Sequence, residues 1–178
     1  RVDEVLDESK KVSDRLHESI RRVLEKIEEI LRRVNEENRR VNEEMKRILD
    51  ELARTVGEKI REELEKVKKR AEDLVKTNEE LSEDLKRRVR KLLKELEDLL
   101  RKVNEENKES LDRLKRIEDE RVAREILKAD RETVRRLEKR AKDLLDEVRD
   151  LVRESEKRSR ELLKEVEDLV RKLTEEAR

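Results

Sequence analysis

The chain has no cysteine, no proline, no phenylalanine, tyrosine or tryptophan, and only one glycine, Gly57, and one histidine, His17. Without cysteine there is no disulfide framework, no thiolate zinc site and no indication of redox compartment. Without aromatic residues there is no aromatic-lined pocket, and amphipathic helices lack the bulky anchors used on membrane surfaces. No apolar run approaches the ~18 residues of a membrane span, and no signal peptide is visible at the N-terminus. The expectation is a soluble protein with no natural localisation, suited to expression in bacterial cytoplasm. An excess of either charge is also missing. The 51 basic and 51 acidic residues cancel, and their signs alternate along the chain. A nucleic-acid footprint would need Lys and Arg gathered on one face.

What the sequence does hold is charge and helical periodicity: 57% of residues are charged and 32% apolar. Such charge density accompanies disorder unless the apolar residues recur with a helical period, as they do here, which indicates long helices or coiled coil. Glu28/Arg32, Glu36/Arg40 and Glu83/Arg87 stand four apart with the acid first. Each such pair adds about 0.2–0.5 kcal/mol to a helix, which describes a solvated surface rather than a binding patch.

The apolar stripe repeats every eighteen residues, as in Val5/Val23/Val41 and Val12/Ile30/Ile48, whereas a heptad shift carries Ile30 onto Glu37. Eighteen residues are five turns at about 3.6 residues per turn, so little left-handed supercoil is expected. The repeat returns in Val67/Leu85/Val103 and in Ile126/Leu144/Leu162, and the phase of the stripe jumps between blocks. One jump falls near Gly57, the only residue that readily adopts left-handed backbone. The other falls at 118–120, where Glu118, Asp119 and Glu120 suit a helix start. The predicted fold is all-α: an up-down-up antiparallel three-helix bundle of long, nearly straight helices in a single domain, 1–178. Its helices run over about 2–56, 59–117 and 120–177, each about 85 Å long at 1.5 Å per residue. Rival boundaries exist. Thr77-Asn78-Glu79-Glu80 has the form of a capping box, and Asp130 could cap a further helix, giving four or five shorter ones.

Polar residues interrupt the stripes. On helix 1 they are Ser9, Ser13, His17, Asn35, Asn38 and Asn42; on helix 2, Glu63, Asn78, Ser82, Asn107 and Ser110, with Asn104 beside its stripe. Helix 3 carries Asp130, Thr133, Ser155 and Ser159. Antiparallel return brings Asn78 and Ser82 level with Arg39 and Asn35, and a parallel third helix brings Ser155 and Ser159 level with Glu36 and Arg40. Asn107 and Ser110 fall level with Lys10 and Asp7, and Asp130 and Thr133 with Lys11 and Asp14. Two structural polar layers are therefore expected: Ser9, Ser13, His17, Asn104, Asn107, Ser110, Asp130 and Thr133 in the first, and Asn35, Asn38, Asn42, Asn78, Ser82, Ser155 and Ser159 in the second. Glu63 belongs to neither. A buried hydroxyl or amide without a partner costs about 1–3 kcal/mol, so polar groups in a core must meet at one level. A slid or reversed helix would strand them, which makes them pins of register.

With its eighteen-residue repeat, its Glu/Lys/Arg surface, stretches such as LLKELEDLLRKVNEEN and its balanced charge, the sequence resembles de novo designed parametric helical bundles with buried hydrogen-bond networks. The resemblance extends over the whole chain as a style and departs from it in turns nearly devoid of Gly and Pro. It implies a hyperstable scaffold or interaction module without native biology.

No catalytic, cofactor-binding or metal site is expected. His17 reads as a network member or an edge residue, and a metal would need three or four converging ligands. Ser9 or Ser13 with His17 and Asp130 makes an imaginable triad, but backbone N–H groups inside a helix are already bonded and offer no oxyanion hole. Met45 reads as core, and the wheel position of Asp130, shared with Val148 and Val166, predicts burial. Two functions remain. The first is a designed structural scaffold, a closed monomer with no enzymatic activity and no cofactor, nucleic-acid or membrane partner. The alternative is an interaction module that binds a further helix or a second copy through an apolar groove, with the Val12/Ile30/Ile48 edge as its exposed seam.

Overall fold

The computed structural model describes residues 2–55 and 60–176. It contains three helices: α1, Val2–Thr55; α2, Arg61–Arg116; and α3, Glu120–Glu176. They pack against one another in all three pairings as a three-helix bundle. The connection expected at Gly57 lies outside the described residues. The second connection is Ile117, Glu118 and Asp119. At its start the Ile117 N–H donates to the Leu114 carbonyl at 3.3 Å, a tightened last turn of α2. At its end Asp119 is the N-cap of α3: its Oδ1 accepts from the Arg121 N–H at 3.0 Å, and its carbonyl accepts from the Ala123 N–H at 3.1 Å. A carboxylate in that position satisfies a free helix donor and complements the positive end of the helix.

Neither rival boundary breaks a helix. Thr77 lies inside α2 with its hydroxyl donating to the Asp73 carbonyl at 2.9 Å, one turn back, rather than capping anything. Asp130 lies inside α3.

Burial follows the eighteen-residue period. On α1 the fully covered positions Val5, Ser9, Leu16 and Ile20 return as Val23, Ile27, Val34 and Asn38, and then as Val41, Met45 and Leu52. Val12, Ile30 and Ile48, the edge named as the seam in the interaction-module alternative, are half-buried, with Ile48 packed against the cluster of Val41 and Met45. Glu63 is exposed, which explains why it matched neither polar layer.

The chain divides into two compact units, each containing a segment of all three helices. One comprises Arg1–Glu29 and Val89–Val148. There Val5 of α1, Leu114 of α2 and Ala123 and Leu127 of α3 form a cluster flanked by Val2, Leu6, Ile117 and Ile126. The other comprises Ile30–Arg88 and Arg149–Arg178. Its core has Val41 and Met45 of α1 against Ala71, Leu74 and Val75 of α2 and Leu162 and Val166 of α3, and a second cluster joins Leu52, Leu64 and Leu173. In the first unit early residues of α1 face late residues of α2, and in the second late residues of α1 face early residues of α2, the antiparallel pairing expected.

The surface is laced with ion pairs. Arg47 grips two carboxylates of its own helix, Glu44 at 3.1 Å through Nε and Glu51 at 2.6 Å through Nη1. Between helices, Arg131 reaches Glu8 at 3.0 Å, Arg70 reaches Glu165 at 2.8 Å, and Arg140 reaches Glu95 at 2.5 Å. Exposed pairs of this kind contribute about 0–1 kcal/mol each, so the core carries the stability.

Leu96 is fully buried, whereas Val122 is 42% exposed. Leu96→Ala is expected to cost about 2–5 kcal/mol in guanidinium unfolding, and Val122→Ser to stay within about 0.5 kcal/mol of the parent. The hydrogen bonds from Arg47, reinforced by its charge and opposed by slight desolvation, hold the Glu44 carboxyl below the ordinary glutamate value. A depressed carboxylate contributes stability above its unfolded pKa and loses it as pH falls through the folded one. Carbon-detected NMR titration should therefore show Glu44 titrating below the ordinary glutamate value, and Arg47→Gln should return it toward that value.

Candidate functional site: the buried polar groups

In the unit containing the middle of α1, three asparagines make a chain of hydrogen bonds. Asn78 of α2 is completely buried. Its Nδ2 donates to Oδ1 of Asn42 at 2.7 Å, and its own Oδ1 accepts from Nδ2 of Asn38 at 3.2 Å. Asn38 Nδ2 also lies 3.4 Å from the Asn78 backbone carbonyl. Asn38 and Asn42 stand one turn apart on α1, so their carboxamides project side by side and Asn78 fits between them. The antiparallel level rule put Asn78 beside Arg39, and it lands between the two asparagines that flank that position on the inner face.

The other members of this layer are buried or half-buried but lie outside that chain. Ser82 and Ser155 are buried, and Asn35 is half-buried. Two atoms here are enclosed without a hydrogen-bond partner, Asn35 Oδ1 and Ser159 Oγ. The asparagine chain therefore ties α1 to α2, and no direct bond from Ser159 extends it to α3.

In the unit containing the start of α1, the polar groups form two separate pairs. Asn107 of α2 donates through Nδ2 to the Ser13 hydroxyl of α1. Ser110 of α2 donates through its hydroxyl to Oδ2 of Asp130 on α3. Helix α2 is thus pinned on both sides. Ser9 is buried and His17 half-buried, and neither takes part in these pairs.

Three expectations need correction. Asn104 is exposed. It follows Val103, which is 1% exposed, and one residue along a helix turns the side chain about 100° away from the core. Thr133 is half-buried, but its hydroxyl donates to the Ala129 carbonyl of its own helix at 3.1 Å and needs no cross-helix partner. Asp130 is half-buried, although Val148 and Val166 at the same wheel position are completely covered. Its carboxylate keeps part of its hydration while taking the Ser110 bond, since enclosing an unpaired charge is far costlier. Of the residues of the imaginable triad, Ser13 is bonded to Asn107 and Asp130 to Ser110. Among the described residues no three metal-ligating side chains converge, and no helix is long and apolar enough to cross a membrane.

Two features escaped the sequence. The Asp119 cap was foreshadowed only by a run of acids. The Arg140–Glu95 pair, with both side chains 41% exposed, had no signal because Arg and Glu recur throughout. The Glu95 hydrogen bonds, with the charges of Glu95, Glu147 and Asp143, raise the Arg140 pKa against slight desolvation. No protein-family model matches the chain, and neither a curated protein nor a solved structure matches it.

Removing one member of the asparagine chain differs physically from removing all three. Asn78→Leu deprives buried Asn38 and half-buried Asn42 of their partner and should cost about 1–3 kcal/mol in denaturant unfolding. The triple change of Asn38, Asn42 and Asn78 to Leu should recover most or all of that loss, because replacing every partner by hydrocarbon is close to neutral. Equal destabilisation by single and triple variants would count against a mutually satisfied network.

Proposed function

We propose that the chain is a structural scaffold of the de novo designed kind, without enzymatic activity, whose buried polar groups specify how its helices align. The observation that carries this reading is Asn78, wholly enclosed and bonded at both ends of its carboxamide to successive turns of α1. An amide in that position adds little net stability, yet makes every alternative alignment of α1 and α2 expensive. Surface composition supports the same reading: among the described residues the only exposed large hydrophobic side chain is Val122. A protein that held an open groove for another helix would display a contiguous apolar patch.

The test is alignment rather than catalysis. Spin labels placed on exposed Glu43 of α1 and Glu72 of α2 should give one narrow distance distribution in the parent. With Asn38, Asn42 and Asn78 all changed to Leu, the distribution should broaden or split, and sedimentation equilibrium should show association absent from the parent. A single unchanged distance in a monomeric triple variant would refute the assignment of register to these residues.

A further inference from the structure

The turn between α2 and α3 is Ile117, Glu118 and Asp119, with no glycine or proline to separate one helix from the next. Its backbone bonds are those of helix ends, from the Ile117 N–H to the Leu114 carbonyl and from the Ala123 N–H to the Asp119 carbonyl. In one unbroken helix each of these donors would find the carbonyl four residues back, so local bonding gives the turn little advantage. A short turn of this kind invites two copies to exchange a whole helix, because α3 would make the same contacts with the partner's α1 and α2.

What opposes exchange is the angle of the apolar stripes. Within the unit of Arg1–Glu29 and Val89–Val148, α2 buries Val89, Leu96, Val103 and Leu114. Carried past the turn at the same eighteen-residue period, that stripe falls on Arg121, Glu125, Glu132, Lys139 and Asp143, all exposed. Helix α3 instead buries Ala123, Leu127, Ala141, Leu144 and Val148. At about 100° per residue the centres of the two stripes lie roughly 160° apart.

We infer that this offset is a device that keeps the chain monomeric by barring α3 from exchange into a second copy. In an exchanged pair α2 and α3 form one rod, and two rods lie antiparallel, each α2 against the partner's α3. Both stripes must then face the same side of the rod. With the offset as it stands, α3 would turn Glu132 and Lys139 onto the partner's apolar core, and enclosing unpaired charge costs far more than straightening the turn recovers. Two added residues rotate α3 by about 200° and bring the stripes into line, whereas four rotate it by about 400° and leave them almost as opposed as before. The inference goes beyond the scaffold reading and fails separately from it. The Asn38–Asn78–Asn42 bonds join α1 and α2 of one chain and are the same whether or not α3 is exchanged.

Insertions between Glu118 and Asp119 test this on the full chain, refolded from guanidinium over a range of concentrations. Sedimentation equilibrium should give the mass of one chain for the parent and for an insertion of four alanines. An insertion of two alanines should give twice that mass at the highest concentrations. Spin labels at Lys91 of α2 and Asp143 of α3, both exposed, report exchange directly when labelled chains are diluted in unlabelled ones. Their short distance in the parent should be lost in the two-alanine dimer, where 1.5 Å per residue sets them about 80 Å apart. If that variant aggregates, a Lys-Glu pair inserted at the same place sets the same angle. A dimeric parent, a monomeric two-residue variant or a dimer that keeps the short distance overturns the inference. So do equal dimers from both insertions, which would make turn length rather than angle the cause.

Discussion

A buried carboxamide must find a partner for each of its ends, and that requirement fixes the pairing of α1 and α2. Hydrocarbon imposes no such demand: Leu against Leu is nearly as favourable one turn away. Asn78 differs because its oxygen is met by Asn38 and its nitrogen by Asn42, successive turns of the same helix. Moving α2 by one turn along α1 would leave one end of the amide against hydrocarbon, at a cost comparable to an appreciable part of a domain's stability. The Ser13–Asn107 pair applies the same condition within the other compact unit.

This condition matters more here because the apolar pattern is so regular. A stripe that repeats every eighteen residues, as Val5/Val23/Val41 does, offers similar surfaces at several heights. Burial alone therefore supplies stability with weak discrimination between alignments. Surface charge adds little discrimination, since acids and bases alternate everywhere and exposed pairs are individually weak. Polar groups placed at unequal intervals break the degeneracy. They do so without adding much to core stability.

The helices were legible in the sequence because burial imposes phase: where Val and Leu jump to a new wheel position, a connection follows. Ile117–Asp119 illustrates this, although its cap depends on one carboxylate that the sequence alone did not separate from its acidic neighbours. Asn78 was legible because level along a bundle follows from chain direction. Asn104 and Thr133 were not, for two different reasons. Asn104 needed angular position rather than height, and one step from Val103 carries it out to solvent. Thr133 needed knowledge of its hydroxyl's direction, and a threonine in a helix can always turn back on its own carbonyls. Asp130 shows the limit of the wheel itself: charge draws a side chain toward water even where valines at the same angle are covered.

The unequal treatment of α3 follows from side-chain length. An asparagine projects a donor and an acceptor far enough to meet a facing asparagine, as Asn38 and Asn78 do. A serine hydroxyl sits one bond beyond Cβ and reaches across an interface only when its partner is long or close. In one unit Asp130 supplies that length for Ser110. In the other, Ser159 faces a cleft instead of an amide. In this second unit discrimination by direct contact is accordingly concentrated in the α1–α2 pair, and α3 is held there chiefly by Leu162, Val166 and Leu173 packing into the core. Apolar packing tolerates substitution and small shifts better than a bonded amide does. In that unit helix α3 is thus positioned by shape where α2 is positioned by chemistry.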